Sequence, residues 1–124
     1  MSWTRVNLRA LPDSGDERLE SRFGRRRLET EHLGVSFFRY APGHRLETGH
    51  RHGSQEEVYV VVGGSGLLRV GDDVLEIGLW DAVRVAPGAF RGFEGGPHGL
   101  ELIAVASDRP PEGDVEHAEG WWPR

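Results

Sequence analysis

The chain contains no cysteine and no lysine; its 15 basic residues are all arginine. Without cysteine there is no disulfide, thiolate metal site, iron–sulfur cluster or cysteine nucleophile. Without lysine there is no Schiff-base chemistry, no pyridoxal-phosphate anchor and no phosphate loop ending in Gly-Lys. No apolar run approaches the ~20 residues that span a bilayer. The opening Met1-Ser2-Trp3-Thr4-Arg5 lacks the charged and apolar regions of a secretory leader. These absences lead us to expect a cytoplasmic protein with no membrane contact. A formal net charge of −5 makes nucleic acid a poor default partner, and none is expected. The 124 residues suffice for one domain with its own core and are too few for two of ordinary size.

What the chain has in excess is punctuation. Its 18 glycines and seven prolines are about a fifth of the residues, against roughly 12% in average usage. From residue 34 onward they recur between short apolar stretches, as turns do between strands. Val35–Tyr40, His44–His52, Glu57–Val62, Leu67–Val70, Val74–Ile77, Ala82–Ala86, Phe90–Glu94 and Leu100–Ala106 read as strands. Gly63-Gly64-Ser65-Gly66 reads as a turn that ends the strongest of them, and Gly71-Asp72-Asp73 as a hairpin. No amphipathic helices of 10–15 residues intervene, so the pattern predicts an all-β sandwich or barrel over 34–106.

Residues 1–33 read as an irregular N-terminal extension. Ser14 or Asp16 is positioned to cap a short helix reaching Arg22. Arg25-Arg26-Arg27 is a charge run, which reads first as a solvated or ion-paired segment. Residues 107–124 form a polar, proline-rich tail ending in Trp121-Trp122-Pro123. Exposed tryptophans are costly, so the tail is expected to pack on the barrel and bury at least one. Val58 and Val60 give the long strand an apolar outer face, which predicts a homodimer.

The chemically informative segment is His50-Arg51-His52-Gly53-Ser54-Gln55-Glu56-Glu57. In a strand, His-x-His places both imidazoles on one face. Two such histidines and a carboxylate form a facial set suited to Fe, Mn, Zn, Ni or Cu. Glu56 and Glu57 point to opposite faces, and strand parity alone does not choose between them.

At this point the sequence resembles the cupin superfamily. His50-x-His52, four residues, Glu57, six residues and Gly64 match that family's first motif. The stretch from Gly78 to Phe93, through Pro87-Gly88, is similar to its second motif. The resemblance covers about 34–106. It implies a cupin-like jelly-roll β-barrel with a small-molecule site inside, and it selects Glu57 as the third member of the set His50, His52, Glu57. No organic cofactor is implied. One position departs from the pattern. The histidine that the second motif carries beyond its Pro-Gly turn falls at Arg91. A guanidinium stays protonated and has no lone pair to give a metal. At 4 Å and an effective dielectric of 20, two unit charges interact by about 4 kcal/mol, and a dication doubles that.

Three readings follow. The set holds a divalent ion and Arg91 orients an anionic substrate on it, as in metal-assisted oxygenation or isomerisation of an anionic or enol-type molecule. Alternatively Arg91 pairs with Glu57 and the pocket is a metal-free ligand-binding or sensor site. In the third, internal hydrogen bonds satisfy a purely structural cluster. Tyr59 and Phe93 share parity with Glu57 and Arg91, so they face the interior as a stacking surface or as core filling. Gln55 lies before the strand as a further candidate for the pocket. His44 reads as a barrel-end residue, His98 as part of a surface loop, His32 and His117 as surface, and Trp80 as a packing residue.

Overall fold

The computed structural model describes residues 2–123. Eight strands form one sheet that curls into a half-barrel. They are β1 (Leu19–Phe23), β2 (Gly34–Tyr40), β3 (Gly49–His52), β4 (Glu57–Val70), β5 (Asp73–Gly78), β6 (Ala82–Val85), β7 (Arg91–Ala106) and β8 (Val115–Ala118). The helical elements described are a 3-10 turn at Leu8–Ala10 and the single turn α1 (Arg25–Leu28).

β7 is the spine of the sheet. Its second half pairs antiparallel with β2 on one edge and with the start of β4 on the other. Its first residues pair with the end of β4, and Arg91 aligns with His50 of β3. β4 also carries β5 and β6, while β1 extends the sheet beyond β2 and β8 extends it beyond β3. The curl follows from side-chain alternation. Glu57, Tyr59 and Val61 of β4 are buried while Val58 and Val60 between them are half-buried. The inward set joins Tyr40, Leu68, Phe93, Leu100 and Leu102 in one apolar core.

Several elements differ from the sequence expectation. Gly63–Gly66 does not end a strand. β4 runs through it, with register shifts against β7 on either side of Gly63-Gly64. Gly64 has φ +67°, and a Cβ there would lie 2.0 Å from the Gly99 carbonyl oxygen. The glycines therefore serve a bulge and a close backbone approach rather than a reversal. Phe90–Glu94 and Leu100–Ala106 likewise fuse into the single strand β7, which places His98 on a strand and exposed. The expected strand His44–His52 is regular only over Gly49–His52, with an isolated bridge from Arg45 to Glu94.

The expected helix before Arg22 is also absent. Asp16 accepts from the backbone N–H groups of Arg18 and Leu19, and Asp13 from those of Gly15 and Ser21. These are local turns, the usual competitor of helix for such residues, and they launch β1. Trp80 does not pack: it is 70% exposed with φ +70°. It occupies the third position of a turn closed by Asp81 N–H donating to the Gly78 carbonyl at 2.9 Å, a left-handed position that turns its ring outward.

The tail returns across the half-barrel. β8 pairs with β3, with His50 opposite His117. Trp122 is 5% exposed and its indole N–H donates to the Leu46 carbonyl at 3.1 Å. Trp121 packs closely on Gly49 and Gly92, where a Cβ would come within 2.5 and 2.7 Å of its ring.

Candidate functional site

The inner face of the curled sheet encloses a cavity of about 740 Å³. Its inner wall includes His50, His52, Gln55, Glu57, Tyr59 and Phe93. Period-two geometry puts His50 and His52 on one face of β3, with their rings edge-to-face at 5.2 Å. Glu57 opens β4 across from them. Its Oε1 lies 3.2 Å from His52 Nε2 and 3.9 Å from His50 Nε2, and it accepts the Tyr59 hydroxyl at 2.5 Å. One ligand-type atom from each of His50, His52 and Glu57 falls within 4.8 Å of the others.

An additional carboxylate completes the cluster. Asp114 Oδ1 lies 2.8 Å from His52 Nδ1, while Oδ2 accepts from the backbone N–H groups of Ser54 and Gln55 and from the Ser54 hydroxyl. The contact with Asp114 leaves His52 Nε2 directed at Glu57. Nothing local in the sequence marks Asp114, because it reaches the site only through the β3–β8 pairing.

The protonation of the cluster follows from these contacts. Burial pushes the Glu57 carboxyl up, but His50, His52 and Tyr59 together outweigh it and hold Glu57 well below the usual carboxylate range. The Glu57 contact raises His52, against burial and with help from Asp114. Burial lowers His50, and the charge of Arg91 adds to that against the pull of Glu57. Asp114 is taken down to about 2: its partial burial acts upward, but the hydrogen bonds from Ser54, His52 and Gln55 win. Burial moves the Tyr59 hydroxyl well above its ordinary value, and Glu57 moves it further the same way. At neutral pH the cluster thus presents an ionised Glu57 and a neutral His50.

Arg91 departs from both expectations placed on it. Its side chain is fully buried, and Nε, Nη1 and Nη2 have no hydrogen-bond partner among the described residues. It makes no ion pair with Glu57, and it is not on the cavity wall. Glu57 is already engaged by His52 and Tyr59, which leaves the guanidinium to act on the site through its charge alone.

The remaining candidates divide by position. Gln55 is buried on the cavity wall and its amide donates to the Ser107 carbonyl at 3.2 Å. Tyr59 and Phe93 meet edge-to-face at 4.9 Å. His44 stacks on Tyr40 outside the cavity, and His32 contacts Asp108 on the surface. The outer part of the cavity is lined by residues that sequence reasoning did not select: His117, Arg25, Arg26 and Arg109.

No protein-family model and no curated protein matches the chain. Solved structures do. A single-site variant of oxalate decarboxylase from Bacillus subtilis superposes with a TM-score of 0.75 at 20% identity, over 83% of this chain and 29% of that one. The chain therefore spans under a third of that neighbour's length. A cupin protein from Bacteroides fragilis gives a TM-score of 0.73 at 15% identity, over 90% of this chain and 88% of that one. A variant of Streptomyces Pac13 solved with uridine gives 0.76 at 16% identity, over 97% and 93%. Another structure of Pac13 describes it as a nucleoside dehydratase. At these identities the likeness concerns the fold.

Proposed function

We propose that this chain, which has the cupin fold, is a small-molecule-binding protein whose guest enters the half-barrel and meets a divalent metal ion held by His50, His52 and Glu57. The observation that carries the reading is the convergence of two imidazole nitrogens and one ionised carboxylate oxygen within 4.8 Å on the wall of a 740 Å³ cavity. Two nitrogens and one oxygen suit Fe, Mn, Zn, Ni or Cu, and they leave coordination positions free. The fit is supported by the surroundings: Asp114 directs the Nε2 of His52 inward, and Tyr59 steadies Glu57. When bound, such an ion acts as a Lewis acid on an oxygen of the guest. The protein's own groups confine the guest and present it with the edge-to-face Tyr59–Phe93 pair as an apolar corner of the cavity wall.

The guest in this reading is an anionic or enol-type small molecule, and the chemistry is isomerisation or oxygenation. The positive charge of Arg91, buried and unpaired beside the cluster, favours such a partner. The neighbours lend support at the level of their names: an oxalate decarboxylase acts on a small organic anion, and a nucleoside dehydratase on a small molecule. We further place a homodimer contact on the half-buried outer face of β4 at Val58 and Val60, to be checked by light scattering of the purified chain.

A metal-free site is the second reading, favoured by one observation. His52 bridges Asp114 and Glu57, so the cluster already satisfies itself. A neutral His50 then serves as a general base. Elemental analysis of purified protein beside the His50→Ala/His52→Ala variant decides between the two. We expect near-stoichiometric metal in the parent and loss in the variant. Equal content in both proteins removes the metal-binding reading.

A further inference from the structure

The sign of charge around the cavity is opposite to that of the molecule. The chain carries a net charge of −5. The cavity wall, however, bears three arginines, Arg25, Arg26 and Arg109, against two carboxylates, Glu57 and Asp114. Both carboxylates are occupied by His52, and Glu57 also by Tyr59. The arginines are not neutralised in the same way. Arg25 donates one Nη to the Ser107 carbonyl at 2.6 Å and lies tightly over Gly34, where a Cβ would fall 2.5 Å from that nitrogen. It is a fixed cation that ties α1 to the start of the tail. Arg26 and Arg109 are exposed, and among the described residues neither forms an ion pair or a side-chain hydrogen bond.

Exposure also orders the cavity from rim to floor. Arg26, Arg109 and His117 are exposed and mark the rim, together with the exposed Phe23 and Val115. Tyr40, Tyr59, Phe93 and Ala104 are buried and make the apolar part of the floor, beside the buried Ser21, Gln55 and Glu57, with Leu19 and Phe38 between floor and rim. A guest that satisfies both zones has an apolar body and an anionic end. Arginine is suited to that end because its planar fork meets carboxylate, sulfonate or phosphate oxygens in pairs.

We propose that Arg26 and Arg109, contributed to the cavity wall by α1 and by the C-terminal tail, form an anion-recognition site at the cavity rim, and that the guest is an amphipathic organic acid lying with its charged group there and its largely apolar body inside, where one oxygen of that body faces the His50–His52–Glu57 cluster. This rests on the small-molecule reading given above and adds the chemical class of the guest. It also gives Arg26, within the Arg25-Arg26-Arg27 run, a role beyond solvation.

The test uses two fluorescent probes of one shape, anilinonaphthalene sulfonate and its uncharged parent phenyl-naphthylamine, titrated into the full chain. The parent protein is expected to bind the sulfonate about tenfold more tightly, a preference that fades with added salt. Arg26→Gln/Arg109→Gln is expected to abolish the preference while leaving the neutral probe's affinity unchanged. Arg5→Gln/Arg27→Gln removes the same net charge from exposed arginines off the cavity wall and is expected to keep it. A preference that survives in the rim variant, or falls equally in both variants, overturns the rim site. Equal binding of the two probes by the parent overturns it too and leaves the pocket reading intact. Binding of neither probe overturns both.

Discussion

At the scale of single residues, Arg91 and Asp114 set the terms. A buried guanidinium without a partner costs several kcal/mol of stability, because lost hydration is not returned by hydrogen bonds. Arg91→Met keeps a long side chain and removes that cost, so we expect it to raise stability by about 1–4 kcal/mol, read from the urea midpoint at an unchanged m value. A drop in the midpoint instead would contradict the reading of Arg91 as a net destabilising buried charge. Asp114 acts in the opposite sense, as the group that orients His52. Removing such a carboxylate behind a metal-binding histidine weakens metal affinity by about 10–100-fold. In the metal-bound reading proposed above, Asp114→Ala is expected to show that loss in chelator competition, with the folded-state circular dichroism unchanged. Affinity equal to the parent's would mean that His52 holds its orientation unaided.

At the scale of elements, the bulges and turns decide what the alternation pattern leaves open. Gly64 combines φ +67° with a carbonyl oxygen 2.0 Å from where a Cβ would sit. Gly64→Ala must therefore separate β4 from β7 locally, at an expected cost of about 3 kcal/mol or more. Gly71→Ala, with similar φ but open space around it, should cost about 1 kcal/mol. The His50/His52 face and the all-β class were legible in the sequence, because period-two alternation and β-branched runs report directly on strands. The inward phase of β4, by contrast, came only from the resemblance to the cupins, since Val58 and Val60 make the outer face of that strand as apolar as the inner one. Gly63–Gly66 was not, because glycine marks a bulge and a turn alike. β1 was not either: the Asp13 and Asp16 turns that launch it use the same residues as a helix cap. Those two carboxylates give a pH prediction. Backbone N–H donors hold both below their ordinary value near 3.9. A depressed folded-state value means stability that is present above pH ~4 and lost as pH falls through the lowered value. The melting-temperature gap between the parent and Asp13→Asn/Asp16→Asn should thus be widest near neutrality and shrink below pH ~4. A gap that grows on acidification would contradict the assignment.

At the scale of the whole molecule, both chain ends complete the half-barrel rather than trail from it. β1 lengthens the sheet on one side and β8 on the other, and each brings side chains to the cavity. Asp114 and the rim residues were invisible in the sequence for this reason: their roles depend on pairings across more than sixty residues, as between His52 and Asp114 at 2.8 Å. Trp122 fastens the tail, since it is buried, bonded to the Leu46 carbonyl and stacked under Arg45 at 4.2 Å. Removing a ring of that size from a packed site costs about 3–5 kcal/mol. If the tail is part of the folding unit, Trp122→Ala lowers the stability of the entire cooperative transition and β1 and β8 melt together. If the tail is an appendage, the same change leaves the main transition in place and frees only residues after Ala106. Hydrogen exchange at the amides of β2, which β7 and β3 separate from β8 in the strand order, separates the two. We expect faster exchange there in Trp122→Ala and no change in Trp3→Ala, whose ring is 66% exposed.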